Sequence, residues 1–191
     1  VLGHEAAGEI TAVGPGVAPG LVGRHAALIP LVPCFDCAHC RAGRYSACKR
    51  YSFIGSRQNG AYAEIIEIPE RNALLLPDDL PFEAAALVEP SSVARHLLDL
   101  GQFQAGQSAV VLGSGSIGLM AVQWLRILGA GQIIASDIAA ANRQAALELG
   151  AHIAIDPQGT DLGAEVQYLT GGGADLVDLA FRSNITTAAE L

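Results

Sequence analysis

Cysteine, methionine, tryptophan and positive charge are all scarce in these 191 residues, and the scarcities exclude several classes of protein. Four cysteines are too few and too unevenly placed to frame a small disulfide-stapled secreted domain. Eleven Lys and Arg against nineteen Asp and Glu give a net charge of -8, which opposes nonspecific binding to polyanions. Charged residues make up only 16% of the chain and hydrophobic residues 51%, ample for a buried core in one large or two small domains. No apolar run is both long and clean enough to cross a membrane. The uncharged stretch 102–125 has the length, but Gly113, Ser114, Gly115, Ser116 and Gly118 interrupt it and Gln107 and Gln123 lie near its ends. That pattern suits a buried strand, turn and helix. No secretory signal is read in the opening residues, and VLGHEAAGEI, without a methionine, reads as though the chain began in mid-strand. A fragment of a longer protein is expected.

The cysteines that are present are crowded. Cys34, Cys37, Cys40 and Cys48 all fall within PCFDCAHCRAGRYSAC, residues 33 to 48, separated by two, two and seven positions. One short loop can therefore wrap all four sulfurs around a tetrahedral ion, and zinc is the metal that suits four thiolates. A redox C-x-x-C pair would leave Cys40 and Cys48 without a role. A closed shell of four cysteines has no position for water, so the site is read as structural. Arg41, Arg44, Lys49 and Arg50 stand beside Phe35, Tyr45 and Tyr51, as in a nucleic-acid-binding zinc knuckle. The acidic remainder of the chain favours a solvated surface around a structural zinc instead.

Residues 1–33 carry short apolar runs broken by Gly and Pro and read as small β-strands joined by tight turns. After the cysteines, AYAEIIEIP partly alternates apolar with polar residues, and NALLLPDDLPFEAAALVEP runs from a strand through Pro-marked turns into a short helix. From Ser108 the rhythm changes. SAVVLG, a helix over 117–129, QIIASD, a helix over 140–149, HIAID and ADLVDLA alternate as in an open parallel α/β sheet. The boundary is placed near residues 93–106, where VARHLLDLGQF reads as a connecting helix.

GSGSIG supplies Gly113, Gly115 and Gly118 in a G-x-G-x-x-G spacing between an apolar strand and an apolar helix. The first glycine permits the tight turn, the second lets the backbone approach a pyrophosphate, and the third lets helix and strand pack closely. The helix N-terminal amides, around Ser116 and Ile117, then face the anion. Asp137 ends the next strand, nineteen residues past Gly118, where a carboxylate accepts hydrogen bonds from ribose hydroxyls and repels a 2'-phosphate. NAD is therefore favoured. The bland alternative is an ordinary glycine turn followed by an aspartate that caps a helix.

His4 and Glu5 form a polar, metal-capable pair before a glycine-rich segment, and chemistry alone leaves open whether they are a surface pair or a site. Glu89, in LVEPSS, is similarly open; the Pro after it favours an extended conformation. His25, His39, His96 and His152 have no partner at ligand spacing and are read as structural or solvated, with His39 pointing away from the cysteine-bound metal.

Taken together, these stretches resemble the zinc-dependent medium-chain alcohol and polyol dehydrogenases. GHE with Gly8, Gly14 and Val17 fits that family's zinc signature, the four cysteines its structural-zinc lobe, and GSGSIG with Asp137 its cofactor domain. VEP fits the polyol branch, which has Glu where other alcohol dehydrogenases have Cys. The resemblance implies an α/β protein with an all-β part: a GroES-like β-rich catalytic domain over 1–94 and a Rossmann doubly wound parallel sheet over 95–191, both incomplete. It also implies a catalytic zinc held by His4 and Glu89, with Glu5 as ligand or neighbour of a ligand, and NAD-linked oxidation of a polyol or polyol phosphate to the ketone. The wording of the cysteine lobe points to galactitol 1-phosphate; another polyol, a simple alcohol or L-threonine is the alternative within the family. A cytoplasmic homo-oligomer with no nucleic-acid or membrane partner is the expected setting. The family also carries a zinc-binding Cys and a proton-relay Ser or Thr upstream of GHE, and further strands after the fourth, so this chain by itself is expected to be inactive. DLAFRSN departs from the Glu-Ala-x-Gly type of ending expected after the fourth strand. A noncatalytic NAD-binding zinc protein is the competing reading from another class.

Overall fold

The computed structural model describes residues 1–179, so the part of DLAFRSN after Leu179 and the rest of the expected 95–191 domain lie outside the described residues. The chain forms two compact units, Val1–Glu89 and one that begins at Pro90.

The first unit is β-rich. β1 (Ala7–Glu9), β2 (His25–Leu28) and, later in the chain, Ala73–Leu75 form a three-stranded antiparallel sheet with β2 in the middle. β3 (Leu31–Val32) and β4 (Ser52–Phe53) pair antiparallel, Leu31 opposite Phe53 and Val32 opposite Ser52, and close the stem of the cysteine lobe. Within the lobe lie a single turn of helix, α1 (Ala38–Arg41), and a 3-10 turn at Tyr45–Ala47. The outer strand Ala73–Leu75 is β5, and α2 (Phe82–Ala85) follows its Pro-marked turn. Ala27, Leu76 and Ala85 make the small core, joined by Ala7, Leu80 and Val88. The alternating stretch AYAEIIEIP forms no strand; Tyr62 and Ile65 stand largely in solvent, with no ladder to bury them.

The connecting helix expected around 93–106 starts earlier: α3 runs Val88–Leu100. Glu89 is thus helical rather than extended. Pro90 sits at the third helical position, where a missing N–H removes no intrahelical bond, so the extended bias of Glu-Pro is overridden.

The second unit is a four-stranded parallel sheet in the order β8-β7-β6-β9, from β6 (Ser108–Leu112), β7 (Gln132–Ser136), β8 (Ile153–Ile155) and β9 (Leu176–Leu179). Helices α4 (Ser116–Ile127), α5 (Ala140–Leu149) and α6 (Leu162–Thr170) alternate with them. The elements expected from Ser108 onward are all present, within a few residues at their ends. The middle strands are continuous apolar runs because helices cover both faces of the sheet. Ala109, Val111, Ile133 and Ala135 face one cluster with Val122 and Leu125 of α4, and Val110 and Ile134 face the other with Val166 of α6. Ile133 and Ile134 are wholly buried, each contributing roughly 1.5–3 kcal/mol. β6 lies between β7, the next strand in the chain, and β9, the last strand among the described residues. The order of connection reverses there, leaving a crevice at the carboxyl end of β6.

One close approach fixes the start of the chain. The Gly60 amide donates to the Val1 carbonyl, Ala61 to Gly3 and Tyr62 to Leu2, stitching residues 1–3 onto the loop after β4. A Cβ on Gly60 would be driven into the Gly3 carbonyl oxygen and the Gly55 Cα, both backbone atoms with no side chain to swing aside. Gly60→Ala is expected to destabilise the first unit by about 2–3 kcal/mol, read as an earlier urea transition, with the transition of the second unit unmoved.

Candidate functional site

Three groups of residues carry chemistry. In the lobe, Cys34 follows β3, Cys37 caps the N-terminus of α1, Cys40 lies buried inside α1, and Cys48 is buried after the 3-10 turn. All four are free thiols, and their sulfurs lie within 4.8 Å of one another. The Cys37–Cys40, Cys34–Cys40 and Cys37–Cys48 separations are 3.5, 3.9 and 4.0 Å. A tetrahedron built on zinc–sulfur bonds of about 2.3 Å has edges of roughly 3.8 Å, so the donor set fits that metal in type and size. The Cys34 amide donates to the Cys48 sulfur at 3.3 Å and the Cys37 amide to the Cys34 sulfur at 3.4 Å. The Asp36 amide, then that of Cys37, pull the Cys34 thiol down to about 6. Donation from the Cys40 amide lowers Cys37, while burial pushes Cys40 up to about 12. His39 is not among the clustered ligands, and its Nδ1 is buried without a hydrogen-bond partner.

The second group is His4, Glu5 and Glu89. One ligand atom from each lies within 4.8 Å of the others, so adjacent His4 and Glu5 do face one point. His4 rests edge-on against Phe53, ring centroids 5.3 Å apart, and follows the stitched segment 1–3. Glu89 reaches the point from the first turn of α3, where a helix favours negative charge. Burial raises its carboxyl above the usual carboxylate range; His4 opposes that shift and Glu5 adds to it. An imidazole and two carboxylates suit a zinc that keeps an open position.

The third group closes the carboxyl end of β6. Gly113 turns at φ +92, its amide bonded to the Ser136 carbonyl at 2.7 Å, and Gly115 caps α4. Gly115 and Ser116 are exposed, Ile117 is half-buried and Gly118 is buried in the helix. A Cβ on Gly115 would meet open space, so the backbone there is approachable from outside. The Ser114 hydroxyl is wholly buried and finds no partner among the described residues. Asp137 accepts the Ser114 amide at 2.8 Å, the Ala139 amide at 2.7 Å and Asn142 Nδ2 at 3.1 Å. It therefore holds the residue that precedes α5 and a side chain of its first turn, without capping a helix amide, while also tethering the glycine turn. Burial pushes its carboxyl up, but these donors and the charge of Arg143 outweigh that and leave it below the usual range. Arg143 donates to the Asp137 carbonyl at 2.8 Å and pairs with Asp156 at 2.9 Å.

Ser114, Asn142 and Arg143 escaped sequence reading. Only the spacing of Asn142 and Arg143, five and six residues past Asp137 in the next helix, could have flagged them. Of the other histidines, His25 packs on Phe82 with its Nδ1 buried and unpartnered among the described residues, and His152 Nδ1 accepts the Ile133 amide at 2.9 Å.

Two domain families match this chain, the alcohol dehydrogenase GroES-like domain over residues 1–78 and the zinc-binding dehydrogenase domain over residues 116–182. Galactitol 1-phosphate 5-dehydrogenase of Escherichia coli K12 is 42% identical over 150 residues, 78% of this chain and 43% of that protein. Sorbitol dehydrogenase of Bacillus subtilis strain 168 is 36% identical over 190 residues, 99% of this chain and 53% of that one. The crystal structure of an alcohol dehydrogenase from Escherichia coli CFT073, complexed with NADH, superimposes with a TM-score of 0.89 at 31% identity, covering 95% of this chain and 54% of that one. The chain thus spans about half the length of the proteins it matches.

In zinc-free protein the thiols should separate by pH. Iodoacetamide is expected to modify Cys34 first, with a half-point near pH 6, and Cys40 last, read by peptide mass mapping. Because Cys34 is lowered on folding, its stabilising share is complete above pH 9 and fades as pH falls through about 6. Cys40, raised on folding, contributes fully below pH 9 and loses that share as pH rises toward about 12.

Proposed function

Because the chain belongs to the zinc-type medium-chain alcohol and polyol dehydrogenases, we propose that it carries the zinc sites and the coenzyme turn of an NAD-linked polyol dehydrogenase. Residues 1–94 serve as the catalytic domain and residues from 95 onward as the nucleotide domain. The observation that carries the reading is the convergence of His4, Glu5 and Glu89 on one point, in the same chain as a closed four-sulfur cluster and a glycine turn tethered by an aspartate.

His4 and Glu89, with Glu5 as ligand or close neighbour, would hold the catalytic zinc, and Cys34, Cys37, Cys40 and Cys48 the structural one. Zinc in the first site supplies a Lewis acid and NAD a hydride acceptor, so that a secondary alcohol loses hydride from carbon and a proton from oxygen and becomes a ketone. His4, braced by Phe53, would offer a ring nitrogen in a fixed direction. Glu89, whose charge is disfavoured by burial and by Glu5, gains most from a cation placed against it. Gly113, Gly115 and Gly118, with the amides at Ser116 and Ile117, make room for the pyrophosphate, and Ser114 has a hydroxyl to spare for it. Asp137 keeps acceptor capacity on Oδ1 for a ribose hydroxyl.

The substrate we infer is galactitol 1-phosphate. Its support is the 42% identity to the Escherichia coli enzyme over 150 residues and the lobe sequence PCFDCAHCRAGRYSACKRYSFIGSRQNG. Four free thiols fit a reducing cytoplasm, and the net charge of -8 fits a protein without nucleic-acid partners, acting as a homo-oligomer on a small molecule.

NADH formation by the full-length protein that contains this chain should be faster with galactitol 1-phosphate than with sorbitol, xylitol or L-threonine. A preference for any unphosphorylated compound removes the phosphate from the assignment. Glu89→Ala in that protein should lower kcat/KM by about 100-fold while the melting temperature barely moves. Unchanged turnover would take Glu89 out of the site. Asp137→Ser should narrow the preference for NAD over NADP by roughly tenfold, measured as the ratio of the two kcat/KM values. An enzyme that favours NADP with Asp137 intact would place that residue elsewhere than at the ribose.

A further inference from the structure

A divalent ion among four thiolates leaves a net charge of about -2 on the cluster, and something nearby has to offset it. Several backbone amides already point at sulfur, among them those of Cys34, Asp36, Cys37 and Cys40, but they are neutral. The lobe holds four cationic side chains, Arg41, Arg44, Lys49 and Arg50. Among the described contacts, Arg50 is the one that brings its charge to a cysteine: Nη2 lies 3.7 Å from the Cys34 sulfur. The same nitrogen donates to Asp36 Oδ2 at 2.8 Å.

Asp36 is itself fixed. Arg41 donates through Nε to its carbonyl at 2.7 Å and through Nη2 to Oδ1 at 3.3 Å. Both carboxylate oxygens are therefore used, one for the anchor and one for Arg50. Asp36 lies between Cys34 and Cys37, and Arg50 lies two residues past Cys48, so the pair spans the opening and the closing of the ligand loop. Beyond the β3–β4 stem the lobe has no apolar core to hold those ends together, because Pro33, Cys40 and Cys48 are its only buried residues over 33–51.

We propose that Arg50, aimed by Asp36, is the charge-compensating partner of the four-sulfur cluster and governs how slowly the lobe gives up its metal. The inference rests on the reading of the cluster as a zinc site. Arg50 and Asp36 are both largely exposed, so solvent weakens the contact. The expected effect is a several-fold change in metal release, at the low end of what partners of metal ligands contribute. Nη2 alone, with its two hydrogens, serves the sulfur and the carboxylate together.

The test uses the full-length protein, with zinc release to the chromogenic chelator 4-(2-pyridylazo)resorcinol followed at low and at high salt. Metal analysis comes first: one zinc per chain bound by the four cysteines, lost in Cys37→Ser, establishes the site, and its absence would sink the zinc reading rather than the role of Arg50. Given the zinc, Arg50→Gln should release it about three- to tenfold faster than the parent at 50 mM NaCl, and Asp36→Asn should do the same more weakly. Arg50→Lys, which keeps the charge, should recover part of the retention. Raising NaCl to 1 M should bring the parent toward Arg50→Gln while leaving that variant nearly unchanged, because salt screens a charge contact and not a packing defect. Equal release by parent and Arg50→Gln, no recovery in Arg50→Lys, or a difference that ignores salt would each overturn the proposal.

Discussion

Four sulfur atoms gathered within 4.8 Å of one another are tolerable as thiolates only opposite a cation, and the lobe depends on that condition being met. Between Pro33 and Tyr51 the chain has no apolar core; the buried residues are Pro33 and two of the four cysteines. A hairpin of two-residue strands and a single helical turn would not hold such a loop by hydrogen bonding alone. The ion would take the place that leucines and valines take elsewhere in the molecule.

The second unit solves its stability problem the ordinary way. Its strands are buried on both faces, and its helices supply Val122, Leu125 and Val166 to close those faces. Burial is spent on a rigid sheet so that the turn at Gly113–Gly115 can remain open on its outer side. The first unit has a much smaller core and places its chemistry by backbone stitching, with residues 1–3 bonded along 60–62 and His4 carried directly behind them.

Much of this was legible in the sequence, and the reasons differ from residue to residue. Cysteine spacing is nearly a geometric statement, so the four-sulfur cluster could be read before any coordinates. Strand β6, the glycine turn and α4 were legible because apolar runs, glycines and helix starts come in one fixed order there. Glu89 was misread in conformation: local Glu-Pro preference lost to a helix that starts two residues before Pro90 and has no use for its N–H. AYAEIIEIP has the alternation of a strand but pairs only at its start, where Ala61 and Tyr62 bond to residues 1–3, since a ladder needs a partner that no local pattern can announce. The company of Asp137 was legible only in part: Ala139 and Asn142 follow it closely, whereas the Ser114 amide comes from the turn after another strand.

That carboxylate has a consequence for anyone who would redesign the coenzyme preference of such a protein. The bond from Asp137 to the Ser114 amide makes one side chain the rivet between the turn after β6 and the loop after β7. Replacing it to admit an extra phosphate at one end would also loosen the cradle at the other. A switch of coenzyme in this fold is therefore two problems that share a residue, and a successful design would have to supply a second acceptor for Ser114 before it removes the first.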